Sequence, residues 1–483
     1  WSVGEINIDI ETVECYHDLD MSGLVYESLF GGSGVSCGDY NISVKNKIDL
    51  KTNRLLGYGQ ANSFIQQIKE HSDGGLLIGG NFEAIDKKVS QMFGKVDSDG
   101  NYDNVFDLGS RTFDTTVRDF IEQPDGKVIV VGEYRYFDSE DLLGYGVMRF
   151  NTDGTEDQRQ SFSNQTRTVE LQSDNKIILG GLYDNNKIER LNTDFTVDGT
   201  FSSNVGTGFN GVVNDIFITN SGTFSDYIYA GGDFTSFDGN TINRLARLNP
   251  DGIIDGTFST NIGSGFNNIV NKVLVDSNDY IYVGGDFTSF NGATANRLVR
   301  LNPDGTIDGT FSTSIGDGFN NTIHDIAIES DGSIIAVGEF TAFDGSVVNE
   351  EYAKAIRLTD GGTASTNKIY NFDDQSSTTI NCVSILSDNN IVFGGRFTKY
   401  NDILNPRLLK IDSVTNNIIP FDGEPPSNSS GVTTIKANAK SSEELINVRS
   451  YFGSENGKLI IKDSTLYKVA TGNIRVINSI GSS

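Results

Sequence analysis

GGDFTSF occurs at Gly231–Phe237 and again at Gly284–Phe290, and related copies recur along most of the chain. The second glycine of each copy marks a series whose members lie 49 to 57 residues apart. A nearly fixed spacing of this size indicates one supersecondary unit that buries its apolar face by stacking on copies of itself. The markers are Gly80, Gly132, Gly181, Gly232, Gly285, Gly338 and Gly395.

Each unit contains the pattern of four short strands. IHDIAIESDGSIIAVG, from Ile323, has two apolar runs around Asp-Gly, which supplies the positive φ values of a two-residue hairpin turn. β-branched residues in these runs favour the pleated strand. After the marker, a looser stretch leads to a second pair, such as RLARLN and IIDGTF around Pro-Asp-Gly. Four strands per unit predict an all-β propeller with the first strand of each unit lining a channel.

The number of units predicts seven blades. One further strand pair, NKIDLKTNRLLGY from Asn46, precedes the first complete unit, and INVRSYFGSENGKLIIKDSTLY from Ile446 would complete it as an eighth blade. We favour seven, because the late hairpin lacks the Gly-Gly-x-Phe letters and follows the linker GEPPSNSSG. The predicted organisation is an N-terminal attachment segment (1–42), a propeller (43–424), and a linker with a small C-terminal β segment (425–483).

The charge of the chain limits its partners. The sequence has 65 acidic and 37 basic residues, which gives a net charge of −28 at pH 7. A field of this sign repels phosphate backbones and anionic membranes. No apolar run approaches the roughly twenty residues that span a bilayer. We therefore expect neither a nucleic-acid partner nor membrane insertion.

Residues for metal or acid–base chemistry are scarce or dispersed. The three histidines, His17, His71 and His324, have no ligand spacing, so a histidine metal centre or catalytic dyad has little support. In NPDGTIDGTF, Asp304 is placed to start the turn, and Asp308 to cap the returning backbone. We expect no cofactor; calcium held by several such carboxylates is the alternative.

The repeat also carries a family resemblance. The letters [S/P]-D-[G/N]-x-I-x-V-G-G-x-F, followed by N-R-[LI]-x-R-L-N-x-D-G-x-x-D-x-x-F, resemble the delta-60 repeat, a β-propeller repeat of phage structural proteins and secreted bacterial proteins. The match is close from Asn186 to Asp344 and looser from about Ser43 to Asp422. This resemblance implies the propeller fold. As the first class of function, it implies a non-enzymatic virion protein, such as a tail or fibre component that binds a receptor or neighbouring subunits.

Two other classes of function stay open. One is a secreted or surface-anchored bacterial adhesin, located outside the cell or on its surface instead of in a virion tail. The other is a propeller hydrolase or lyase, which would need a convergent acid–base set that the repeated Asp residues do not form. For the first two classes we expect a multi-subunit assembly, with virion or cell-surface proteins as partners and a host glycan or protein as the bound target.

The loops supply the candidate binding residues. In a propeller, the second-to-third and fourth-to-first connections share one face, and here they vary in length and are rich in Asp, Asn, Phe and Tyr. Aromatic rings stack on sugars while polar groups bond their hydroxyls, although recurrent aromatics also suit the core between blades. The predicted contact residues are Tyr134, Tyr136, Phe137, Asp138, Phe237, Asp238, Phe290, Asn291, Phe343 and Asp344.

Overall fold

The computed structural model describes residues 64–419, apart from short gaps, and several strands from the two ends of the chain. The gaps are 83, 86–87, 90–91, 99, 101, 109–112, 114, 139–140, 183–185, 220–221, 348–352, 373–377, 402 and 405–406. The chain divides into two compact units, one of Leu50–Pro425 and one that combines Trp1–Asp49 with Pro426–Ser483.

The terminal unit contains two antiparallel sheets. One has the order Asn7–Ile8, Ile474–Asn478, Ile460–Lys468 and Ile446–Tyr451, and the other has the order Ile10–Cys15, Tyr40–Val44 and Thr433–Ile435. The hairpin from Ile446 thus pairs within this unit. Residues 46–58, the partner that an eighth blade would require, lie outside the described residues, so the total blade count stays a prediction, as does the three-segment division of the chain.

The larger unit contains seven sheets of three or four antiparallel strands in the described residues, and we number them blades one to seven in chain order. The strands of each blade are given from the inner strand outward. Blade one has Phe64–Glu70, Leu76–Asn81 and Phe93–Val96; blade two has Val117–Glu122, Val128–Asp138, Asp141–Phe150 and Glu156–Phe162; blade three has Thr166–Leu171, Ile177–Gly181 and Ile188–Leu191; blade four has Val213–Ile218, Ile228–Gly232 and Leu245–Leu248. Blade five has Val270–Val275, Ile281–Gly285 and Leu298–Leu301; blade six has Ile323–Ile328, Ile334–Gly338, Ala353–Leu358 and Ala364–Asn371; blade seven has Ile380–Ile385, Ile391–Gly395 and Leu408–Ile411.

The inner strands stand side by side and close into a ring. Each contacts the inner strand of the next blade, and that of blade seven contacts that of blade one. At this closure Asn381 Nδ2 donates to Ile65 O at 2.8 Å, and Ser387 Oγ donates to Glu70 Oε1 at 2.8 Å. This arrangement agrees with the prediction that the first strand of each unit lines a central channel.

The apolar core lies between the blades. Seven clusters of buried side chains are found in the described residues, one at each junction of neighbouring blades. At the junction of blades three and four, for example, Ile178 packs with Val213 and Ile216. Each blade therefore buries both of its faces against neighbouring blades, as stacked repeats do.

The predicted fourth strand is wrong for five blades in the described residues, and in three of these a short helix follows. IIDGTF and its two relatives contribute a single bridge each, such as Leu248↔Ile254, before a short helix begins. Asp255 caps one of these helices by accepting from Thr257 N at 3.0 Å and Phe258 N at 3.0 Å, while Phe258 itself is fully buried. Side-chain capping and burial of the phenylalanine outweigh the strand preference of the isoleucines. The helices are Gly199–Asn204, Gly256–Asn261 and Gly309–Ser314.

Small hairpins follow the second strand in five blades. In blade four, Ser236–Phe237 pairs with Asn240–Thr241 around Asp238 and Gly239, which both have positive φ values, 44° and 76°. Such values define the turn that matches the twist of a two-residue hairpin. The other four are Ala84–Ile85 with Lys88–Val89, Ser289–Phe290 with Ala293–Thr294, Ala342–Phe343 with Ser346–Val347, and Lys399–Tyr400 with Ile403–Leu404.

Candidate binding site at the channel mouth

Each of the seven inner strands has a β-bulge at its second or third residue. In blade four Val213 pairs with Gly232 and Asp215 pairs with Gly231, so Asn214 is the extra residue. The same shift occurs near the start of the other six inner strands. A bulge re-aims the side chain of the extra residue and is common beside functional sites.

The two glycines of the repeated motif leave space for this bulge. A Cβ at Gly232 would lie 2.0 Å from Val212 O, the carbonyl group just before the inner strand of the same blade. A Cβ at Gly231 would lie 2.5 Å from Val270 Cγ1 of the next blade. The second glycine therefore permits the close approach of two strands, and the first permits the packing of two blades.

The seven extra residues line one cavity at an end of the channel, which we call the channel mouth. The cavity has a volume of about 430 Å³. In blade order, its bulged residues are Gln66, Arg118, Arg167, Asn214, Asn271, His324 and Asn381. In units that are otherwise similar, this position differs in charge from blade to blade.

Asparagine at this position joins neighbouring blades. Asn214 Nδ2 donates to Val270 O at 3.1 Å, and Asn271 Nδ2 donates to Ile323 O at 3.0 Å. Each acceptor is the first residue of the next inner strand, whereas Asn381 donates to Ile65, the second residue of the inner strand of blade one. Four blades have a different residue here.

Two of the replacements pair with a glutamate that directly follows a marker glycine. Arg118 Nε donates to Glu133 Oε1 at 2.8 Å in blade two. In blade six, His324 Nε2 lies 3.6 Å from Glu339 Oε1, and this interaction holds the pKa of Glu339 below its ordinary value. Each of these glutamates therefore has its partner within its own blade.

Two arginines at the mouth have no such partner. Arg167 Nη1 donates to Asn214 Oδ1 at 2.7 Å, but its Nε is buried without an acceptor in the described residues. Burial, together with the positive charge of Arg118, lowers the pKa of Arg167. The Arg396 guanidinium lies over the Phe64 ring, 5.1 Å from its centroid. Within the described part of the chain, neither arginine forms an ion pair.

A layer of buried carboxylates lies one residue deeper in the channel. Asp119 Oδ2 accepts from Val169 N at 3.0 Å, and Asp215 Oδ2 accepts from Val273 N at 2.8 Å, in each case from the next blade. Burial raises the pKa of Asp215 to about 6, although Lys272 opposes this change. Lys272 Nζ lies 3.4 Å from Asp215 and 3.6 Å from Asp325. These carboxylates bind blades together, which is a structural task.

The predicted phenylalanines require a correction. Phe237, Phe290 and Phe343 are only 2%, 2% and 5% exposed. Phe237 packs on Phe209 with a centroid distance of 4.8 Å, and the same contact recurs in blades five and six. Burial of an apolar ring in this core between blades is more favourable than its exposure to water, so these three rings cannot stack on a ligand.

The polar residues beside them are exposed but already bonded. Asp238 Oδ1 accepts from Thr207 N at 3.0 Å, and Asp344 Oδ1 accepts from Asp317 N at 3.0 Å. Asn291 does the same for Ser264 N at 3.1 Å. These side chains hold the small hairpin against the preceding connection between blades, and their binding role stays a prediction.

The remaining predicted residues lie in the long hairpin of blade two. Its second strand extends to Asp138, and Tyr136 pairs with Gly144 while Asp138 pairs with Asp141. The backbone of Tyr134 and Phe137 belongs to the same strand. We define the loop face as the surface that carries this hairpin, the five small hairpins and the channel mouth.

Sequence reasoning missed the channel mouth as a site. The sequence does contain a signal for it, at the second or third residue of the first strand of each unit. This residue follows an apolar residue, precedes a buried one, and varies in charge between units. Only the register of the bulge shows that this residue faces the channel, because regular alternation would not give two successive residues to the same cavity.

A sequence family matches part of the chain. Four segments, residues 123–158, 172–201, 228–258 and 277–311, match the family described as "Domain of unknown function (DUF5122) beta-propeller". They lie in blades two to five of the closed ring. The fold is a β-propeller. The predicted all-β class is thereby confirmed, whereas the resemblance to the delta-60 repeat itself stays a prediction.

Solved structures of low identity are similar to this propeller. The extracellular domain of BT4673 from B. thetaiotaomicron is 18% identical with a TM-score of 0.45; the match covers 74% of this chain and 39% of that domain. Streptogramin B lyase is 10% identical with a TM-score of 0.40, over 74% of this chain and 94% of the lyase. The WD40 propeller domain of Doa1 is 13% identical with a TM-score of 0.37, over 62% and 94%. No curated protein matches the chain.

The described residues contain no group of three or more His, Cys, Asp or Glu side chains arranged to hold a metal ion. Within the same residues, every helix is too short or too polar to cross a membrane.

Proposed function

We propose that this chain is a non-enzymatic interaction protein that binds its partner through the loop face of the propeller. The observation that carries the proposal is the contrast between a repeated ring and non-repeated groups on that face. The hydrogen bonds from Asp238, Asn291 and Asp344 fix the hairpins, while the long hairpin of blade two and the bulged residues differ between blades. Variable groups held on a fixed scaffold are typical of binding surfaces.

The charged groups at the mouth support binding rather than catalysis. Glu133 pairs with Arg118, Glu339 lies 3.6 Å from His324, and Asp119, Asp215 and Asp325 accept backbone N–H groups from the next blade. Each of these carboxylates already has a structural partner, which favours a structural role over that of a general base.

The setting that we propose is a phage particle, in which the chain is a tail or fibre component bound to other subunits or to a host-cell receptor. This follows the resemblance of the repeats to those of phage structural proteins. A secreted or surface-anchored bacterial adhesin is the second setting. Detection of the chain in purified particles, and its absence from washed cells, would distinguish the first setting from the second.

A triple variant tests the loop face. Tyr136→Ala and Asp138→Ala change the long hairpin of blade two, and Asp344→Asn changes a small hairpin. Asparagine at 344 preserves the acceptor because Asn291 fills the same place in blade five. We expect loss of adhesion to host cells or of incorporation into particles, with an unchanged melting temperature.

The matched control changes the opposite face. Val414 and Ile253, which are 78% and 49% exposed, lie in turns between outer strands, and alanine at both should leave binding intact. A triple variant that binds and assembles like the wild type would contradict the proposal, as would turnover of a glycan by the wild-type chain.

A further inference from the structure

We propose that the channel mouth binds the carboxylate of an acidic sugar unit, with Arg167 and Arg396 as its cationic ligands. This inference rests on the proposed function, since it names the chemistry that the loop face would recognise in its partner. It starts from the two arginines at the mouth that form no ion pair in the described residues.

Arg167 is the stronger anchor. Its Nε is buried and has no acceptor among the described residues, while Nη1 holds Asn214 Oδ1 and so fixes the direction of the guanidinium plane. A buried donor without an acceptor is costly, and an anion at the mouth would remove that cost. The planar fork of arginine matches a carboxylate through two parallel hydrogen bonds.

Two of the cationic side chains at the mouth take no part in its ion pairs. Arg118 is already paired with Glu133, and His324 is close to Glu339. Lys272 is shared by buried Asp215 and Asp325. Arg167 and Arg396 form no ion pair in the described residues, although the carboxylates of Glu133 and Asp233 act on Arg167 electrostatically.

The neighbouring groups favour a sugar carboxylate over phosphate. Glu133 acts electrostatically on Arg167, and Glu339 lines the cavity; these carboxylates would repel the roughly −1.5 to −2 charge of a phosphate more than a single carboxylate charge. The amides of Gln66 and Asn271 also line the cavity and suit hydroxyl groups. The volume of about 430 Å³ lies within the range of small-ligand pockets.

Calorimetric titration of the full chain tests the inference. Sodium glucuronate should bind with one site per chain, whereas glucose and inorganic phosphate should bind at least tenfold more weakly. Binding should weaken as NaCl is raised, because the attraction between charges is screened. A glucuronate-terminated oligosaccharide that binds more tightly than free glucuronate would identify a glycan end as the natural source; equal affinities would identify the free acid.

Two arginine variants separate the mouth from general charge effects. Arg167→Gln should weaken glucuronate binding at least tenfold. Arg159→Gln removes the same charge from an outer strand of blade two and should leave the affinity unchanged. If Arg167→Gln does not fold, Arg396→Gln and the salt dependence of the wild type take its place. Absence of glucuronate binding to the wild type, or equal affinities in all these variants, would overturn the proposal.

The outcomes also separate this inference from the proposed function. The triple variant of Tyr136, Asp138 and Asp344 should bind glucuronate like the wild type, since none of these residues lines the mouth. A chain that adheres to cells or enters particles but does not bind glucuronate would overturn the inference alone. A chain that binds glucuronate but neither adheres nor assembles would overturn the proposed function alone.

Discussion

At the scale of single residues, the repeated Gly-Gly pair has a steric explanation. A side chain at Gly285 would meet Ile269 O at 2.2 Å, and a side chain at Gly284 would meet Ile323 Cγ2 of the next blade at 2.8 Å. Neither contact can relax cheaply, since one atom belongs to the backbone and the other to a packed inner strand. Crowding, and not a positive φ, is what selects glycine at these two positions.

Valine at Gly232 should therefore destabilise the ring. The new side chain would have to displace Val212 O, at a cost of about 2–3 kcal/mol in the free energy of unfolding. Urea denaturation measures this cost. The control is Gly256→Ala in a short helix, where a Cβ meets no atom within 4 Å and should be neutral or slightly stabilising. Equal stability of Gly232→Val and the wild type would refute the steric explanation.

Arginine in the third strand makes a second residue-scale contact. Arg300 Nε donates to Asp308 Oδ2 at 2.9 Å, and Nη1 donates to Asp360 O of the next blade at 2.8 Å. Its guanidinium lies 4.6 Å from the centroid of the Phe311 ring. The side chain thus links a short helix, its own blade and the neighbouring blade.

Removing only one partner of this buried pair should be expensive. Arg300→Met leaves the Asp308 carboxylate without its cation and should cost about 3–5 kcal/mol. Asp308→Asn in the same chain should recover part of the loss, because the unpaired buried charge is then gone. Chemical denaturation of the two single variants and the double variant measures the interaction free energy between Arg300 and Asp308. Additive effects would show that the pair is not a unit.

At the scale of elements, the aspartate that caps each short helix also sets an acid dependence. Burial of Asp308 opposes ionisation, but hydrogen bonds from Phe311 N and Arg300 outweigh it and hold its pKa below the ordinary value. Because the pKa of Asp308 is lower in the folded state, its ionised carboxylate stabilises the fold above the unfolded-state pKa of about 3.9. This stabilisation is lost as pH falls through the folded-state pKa.

The Asp308→Asn variant should reveal this term. The difference in unfolding free energy between wild type and variant should be constant above about pH 5 and should shrink below about pH 4, where the carboxyl is protonated first in the unfolded chain and, at lower pH, in the folded one. Denaturation at a series of pH values measures it. A difference that does not change between pH 7 and pH 3 would rule out the lowered pKa.

The same elements show what sequence could and could not predict. The turn role of Asp304 was correct: its Oδ1 accepts from Thr306 N at 2.9 Å, a local interaction visible in the letters. The short helix at 309–314 was missed, because it depends on Asp308 and on burial of Phe311 in the next junction. The sequence also did not show whether the Phe343 side chain faces the core or the solvent, because an aromatic residue that recurs once per repeat has the same spacing in both cases.

At the scale of the whole molecule, the period of about fifty residues was sufficient for the propeller, because each unit must pack on its neighbours. The channel mouth was not predictable, since it arises from seven bulges that meet only when the ring closes. Residues such as Arg167 and Arg396 are 229 positions apart in the chain and line one cavity.

Metal removal tests the structural role of the turn aspartates. Asp153 and Asp194 each accept from the backbone N–H two residues on, as Asp304 does, so their oxygens are used within the turn. We therefore expect EDTA to leave the melting temperature unchanged within error. A drop of many degrees that excess calcium reverses would instead show a calcium site of several carboxylates.

Chemical cross-linking of the native assembly is the most direct test that the loop face meets the partner. Lysines occur on both faces: Lys88 and Lys399 belong to small hairpins of the loop face, whereas Lys127 and Lys176 follow the tight turns on the opposite face. With an amine-reactive reagent and peptide mass spectrometry, we expect links to other proteins from Lys88 and Lys399. Links that come instead from Lys127 and Lys176 would contradict the account.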